Sequence, residues 1–166
     1  MVQWLYGQKI NYFLTQAESD LFRGTQDHTE EQRKLIDGKI EERQHLLARL
    51  WVLADRLAIP LLQNEAIDEL DSIRRGWKDS VAWRCLNYVY ENTTEKSTLR
   101  WLILTQCICF IPPSMMIDHE EYLPKRFLLD RLLNFHYGDA AKQNLENRRR
   151  FRKHFHVPVE DGCEEA

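Results

Sequence analysis

A chain of 166 residues with 43% hydrophobic and 30% charged residues has enough apolar material for one core and too much for a disordered polypeptide. Its formal net charge of −3 excludes the strongly basic character that marks a whole molecule built for nucleic acid. Six glycines and five prolines are too few for the turns of an all-β fold. The expected class is therefore mainly α, an array of about five to seven helices with no substantial sheet.

Val2 to Tyr6 reads as the end of a helix, with Gly7 as its C-cap. Lys9 to Phe13 reads as a short strand and Leu14 to His28 as polar loop. Thr29 to Gln32, "TEEQ", fits a capping box and predicts a helix to about Leu57, with Gly38 as a point of interruption. Leu46, Leu50, Leu53, Ala54 and Leu57 recur at helical spacing and are expected to form its inner stripe. Leu47, Trp51 and Val52 widen that stripe, so the helix is expected to be covered on two sides. "AIP" ends it, because the residue before a proline avoids the α region. Pro60 opens the next helix, where its missing N–H costs nothing. Leu62, Ala66, Leu70 and Ile73 form that helix's inner face, and Gly76 stops it.

Asp79 is positioned to cap a third helix through Val81, Leu86 and Val89. A polar loop follows, and Ser97 or Thr98 caps a buried helix from Leu99 to Ile111, stopped by Pro112 and Pro113. That stretch is too short to span a bilayer. "PPSMMIDHEEYLP" reads as loop. Pro124 opens a helix with Phe127, Leu128, Leu132 and Phe135 inward, closed by Gly138. Asp139 to Phe155 reads as a solvated helix with Glu146 and Arg150 as an i,i+4 pair, before a disordered tail. The expected organisation is three segments, 1–75, 76–138 and a charged tail 139–166.

Candidate chemistry is sparse. Cys107 and Cys109 form C-x-C, but residues two apart on a helix point to nearly opposite sides, so they read as small fillers. His154 and His156 supply only two ligands, which do not make a metal site. "DHEE", Asp118 to Glu121, reads as a solvated turn. No nucleophile elbow, dinucleotide fingerprint or phosphate-binding glycine loop occurs, so no catalytic residue, cofactor or metal is assigned and the chain is not expected to be an enzyme. Four irregularly spaced cysteines with no secretory leader point to reduced thiols and an intracellular protein, in nucleus or cytoplasm. Arg148, Arg149, Arg150, Arg152 and Lys153 form a basic patch interleaved with Phe151 and Phe155. It reads either as a solvated face, or as a nuclear-import signal or a patch for RNA or acidic lipid.

Two stretches carry a resemblance. Trp4, Leu5, Tyr6 and Gly7 resemble the late helix and turn of a BTB/POZ domain of the type common in filamentous fungi. Leu50, Val52, Ala54, Asp55, Ile59, Pro60, Leu62, Ala66 and Ile67 resemble its two closing helices, and Val89 to Ile103 resembles the helical region that follows. Together these cover most of Val2 to Leu104. The resemblance implies a non-enzymatic protein–protein interaction module, an adaptor in ubiquitin-ligase or transcription complexes, with a candidate surface at Trp4, Tyr6, Leu50 and Trp51. In that family a strand-rich half comes first, supplying much of the dimer interface and part of the surface that receives a cullin scaffold. That half has no counterpart in this sequence, so the reading is of a truncated domain. Dimerisation and cullin docking do not carry over, and the protein partner is unnamed. The alternative is a small helical protein that associates with nucleic acid through the basic segment; no membrane partner is expected.

Overall fold

The computed structural model describes residues 29–159, except 78–79, 118 and 135–137. The expected helix end at Trp4 and Tyr6, the strand Lys9 to Phe13, the Asp79 cap, Phe135 and the tail beyond Val159 lie outside these. Among the described residues there are eight α-helices, two 3-10 turns and no strand, so the fold is mainly α.

Helix α1, Glu30–Arg56, begins with the expected box: Thr29 Oγ1 accepts from Gln32 N at 3.2 Å, and Thr29 N donates to Gln32 Oε1 at 2.9 Å. It runs through Gly38 without a break. Its end is set by a device that composition did not reveal. Ile59 N donates to Ala54 O and Ala58 N to Asp55 O, the paired bonds of a Schellman cap, with Ala58 at φ 52°. A left-handed residue here is usually glycine, so an alanine carries strain.

Helix α2, Pro60–Gly76, folds back along α1 with Pro60 in its first turn. The buried seam of α1 is Ile36, Ile40, Gln44, Leu47, Trp51 and Ala54, with Val52 buried beside it, so Leu47, Trp51, Val52 and Ala54 lie inside as expected while most leucines of the expected inner stripe do not. Leu46, Leu53 and Leu57 are exposed. These two stripes lie one residue apart, about 100° around the helix. Trp51 brings the largest buried area to its seam, and small Ala48 and Ala54 beside it let neighbours approach closely.

A 3-10 turn, Trp83–Cys85, leads into α3, Leu86–Asn92. Helix α4, Thr98–Phe110, is capped by Ser97, whose Oγ accepts from Arg100 N at 3.3 Å. It is buried along Leu99 to Cys107 except at Trp101, which is exposed, so the expected burial of its apolar run holds at every other position there. The stretch expected as loop after Pro112 contains α5, Pro113–Ile117, and a second 3-10 turn, Glu120–Tyr122. Proline at the first position of α5 favours that turn of helix.

Helix α6 spans Lys125–Asn134, α7 Gly138–Glu146 and α8 Arg148–Phe155. Gly138 thus opens a helix instead of closing one. Asn147 divides what was expected as one solvated helix: its Oδ1 accepts from Arg149 N at 3.1 Å and Arg150 N at 3.0 Å. Arg150 bonds Gln143 Oε1 at 3.1 Å, not Glu146. Nor is the segment solvated on all sides, since Leu145, Phe151 and Phe155 are at most 2% exposed. One continuous apolar cluster runs from Ile36 in α1 to Phe155 in α8.

Candidate interaction surfaces

Helix α6 is amphipathic in the reverse of the usual sense. Phe127, Asp130, Arg131 and Asn134 follow i, i+3, i+4, i+7 spacing and turn to the protein. Phe127 is fully buried, edge-on to Tyr90 at 5.9 Å. Asp130 accepts from Tyr90 Oη at 3.1 Å and from Arg100 at 3.3 Å, while the Arg100 guanidinium lies 3.7 Å from the Tyr90 ring centre. Arg131, itself buried, donates to Ile111 O at 2.8 Å and contacts Met116 Sδ. Its guanidinium has no carboxylate partner among the described residues, and burial lowers its pKa. The polar side chains of α6 therefore go inward to specific partners. Its leucines go outward: Leu128 and Leu129 are about half exposed, Leu132 73% and Leu133 66%. The expectation that Leu128 and Leu132 form the inner stripe fails because Asp130 and Arg131 already meet partners on that face.

The second apolar strip lies on α1. Leu46, Leu53 and Leu57 are exposed, and Leu61 at the start of α2 adjoins them in sequence. Leu50 is half-buried in a small satellite cluster with Ala54, Leu62 and Ile59. Trp51 is a core residue at 2% exposure, so it offers no contact area to a partner in this packing. Trp4 and Tyr6 lie outside the described residues. The four candidate residues are thus not brought together as one described surface.

The basic patch is displayed by α8. Phe151 and Phe155, one turn apart with ring centres 5.1 Å apart, anchor one face in the core. Arg148, Arg149, Arg150, Arg152 and Lys153 are all exposed. Among the described residues none of the five pairs with a carboxylate. Beyond α8 the chain is strapped to α2. His156 Nε2 lies 2.9 Å from Asp68 Oδ1, Asn64 Nδ2 donates to Val157 O at 2.9 Å, and Val157 N donates to Asn64 Oδ1 at 2.7 Å. The expected disorder of the tail therefore does not begin at Val157.

The remaining candidates have structural surroundings. Cys107 is fully buried, while Cys109 Sγ faces Gly138 O at 3.7 Å, so the two thiols have separate environments. Burial pushes the Cys85 thiol up to about 12, and raises Cys107 and Cys109 as well. All three therefore hold their protons near neutral pH, whereas thiol chemistry needs the thiolate. His154 Nδ1 lies 2.8 Å from Arg150 O and His156 pairs with Asp68, so the two histidines share no ligand. His119 packs against the Trp83 ring at 5.0 Å. Among the described residues no group of three His, Cys, Asp or Glu is placed to hold a metal ion, and no helix is long and apolar enough to cross a membrane.

Comparison with family models, with curated proteins and with solved structures returned no match for this chain.

Proposed function

We propose that the chain is a non-catalytic, intracellular protein–protein interaction module that docks a helical partner through the leucine face of α6. The observation that carries this reading is the inverted α6, with Asp130 and Arg131 satisfied inside while Leu132 and Leu133 stand in solvent. Contiguous exposed apolar surface on a folded protein marks an interaction site. Leucines at i, i+3 and i+4, here Leu129, Leu132 and Leu133, are the anchors of a helix that lies in a groove. An adaptor role in a ubiquitin-ligase or transcription complex follows from the resemblance to BTB/POZ proteins; the free thiols of Cys85, Cys107 and Cys109 accord with a reducing compartment.

The test is Leu129→Asp with Leu132→Asp in the tagged protein, read by crosslinked partner recovery beside a thermal melt. The reading expects an unchanged melting midpoint and loss of the partners seen with the parent chain. Retention of the same partners by the folded variant would exclude α6 as the docking face.

A second reading has its own observation, the display of five cations on α8 by two core phenylalanines. It assigns nucleic acid as the partner. Affinity for duplex DNA or RNA would then fall steeply with salt and be lost when Arg148, Arg149 and Arg152 become glutamine. Absence of any affinity at low salt would dismiss it.

A further inference from the structure

Four leucines of α1 stand in solvent on one side of that helix. Leu35 is 57% exposed, and Leu46, Leu53 and Leu57 lie between 42% and 49%. At 100° per residue they fall within about 40° of one another, and at 1.5 Å per residue the row is about 33 Å long. The row has a centre. Leu46 is eleven positions from Leu35 on one side and eleven from Leu57 on the other. It is seven positions from Lys39 and seven from Leu53, which also lie on the row. The pattern of positions is therefore the same in both directions from Leu46. The charges beside it follow the same symmetry. Glu42 and Arg49 share one flank of the row. The Glu42 side chain is 67% exposed, with Lys39 Nζ 3.9 Å away. Arg49 is exposed, its guanidinium 5.8 Å from the Tyr88 ring centre, and it makes no ion pair among the described residues.

We infer that this face of α1 is a homodimer surface, occupied by α1 of a second copy of the chain, antiparallel to it about a two-fold axis at Leu46. A two-fold interface needs a patch that is complementary to itself. Here the axis sets Leu46 against Leu46 and Leu35 against Leu57 of the second copy. Lys39 falls opposite Leu53, which its stem covers while its ammonium reaches water. In an antiparallel helix pair each flank meets the same flank of the other copy, so Glu42 faces Arg49 of the second copy, and does so twice. Opposite charges thus meet at the register that also pairs the leucines. A strip one helix wide buries less than a standard interface, so the dimer is weak and depends on concentration. None of these residues belongs to α6, so the dimer stands or falls independently of the docking proposal.

The test is sedimentation equilibrium of the full chain from low to high micromolar concentration, with a thermal melt of each variant beside it. The expected result is a reversible monomer–dimer equilibrium. Leu46→Glu places two carboxylates together on the axis and should abolish the dimer; Leu46→Lys should do the same with two ammonium groups. An equal mixture of these two variants should dimerise again, because opposite charges then meet on the axis. On the flank, Arg49→Glu should weaken the dimer about tenfold, since two symmetry-related pairs turn repulsive at once. Adding Glu42→Arg to it should restore the dimer with the pairs reversed. Leu129→Asp with Leu132→Asp on α6 should leave dimerisation unchanged. A parent chain that stays monomeric throughout, with the strip bare or covered by its own residues 1–28, overturns the inference. So does a dimer that survives Leu46→Glu, or a mixture of the two Leu46 variants that stays monomeric.

Discussion

The hairpin α1–α2 and the helix pair α7–α8 reach the same core by different means. The hairpin is rich in leucine, and its burial was to be expected; α8 is five-eighths cationic, yet sets two phenylalanines as deep as Trp51. Depth therefore follows spacing more than average hydropathy. Two large rings one turn apart anchor α8, while at α6 four leucines in six residues stay outside because a polar pair already meets partners on the inner face.

If both regions share one core, the largest effects should be equal in kind. Trp51→Ala in the hairpin and Phe155→Ala in α8 should each destabilise by about 3–5 kcal/mol in urea unfolding. A Phe155 variant with parental stability would separate the regions. The bridge between them is Asn64. Asn64→Ala leaves the half-buried Val157 carbonyl and amide without their partner and should cost about 1 kcal/mol, with accelerated exchange at Val157.

Within the hairpin, Ala58→Gly should stabilise by roughly 1 kcal/mol, because glycine adopts the left-handed cap without the side-chain penalty. No gain would mean that the turn differs from the described cap. The smallest effect concerns His45 on α1. Burial lowers its pKa below the ordinary 6.5, opposed by Glu41 and reinforced by Arg49. The unfolded chain then binds the proton more readily than the folded one. Stability is full above the ordinary histidine range and declines as pH falls through it. His45→Gln should therefore reduce the loss of stability between about pH 7 and 5, measured as unfolding midpoints; an unchanged slope would contradict the burial effect.

Much of the helical framework was legible: the Thr29 box, the proline at the start of α2, the Ser97 cap and the buried run of α4 all depend on local rules. What was not legible depended on partners far along the chain. The choice between two leucine-bearing faces of α1, 100° apart, is made by α2 and the rest of the core. The orientation of α6 is set by Arg100 and Tyr90, some 30 and 40 residues before Asp130. The basic run at Arg148–Lys153 was visible, but the two phenylalanines that fix it were not separable from a solvated face without the packed structure.

The most direct test of a core shared by the hairpin and the basic helix is native-state amide hydrogen exchange. The Phe151 amide, bonded to Asn147 O at 2.8 Å, should be protected to the same order as core amides of α1 and α2. Exchange at Phe151 at rates of an unstructured peptide, with the hairpin still protected, would show that α8 is not part of the core and would contradict the account.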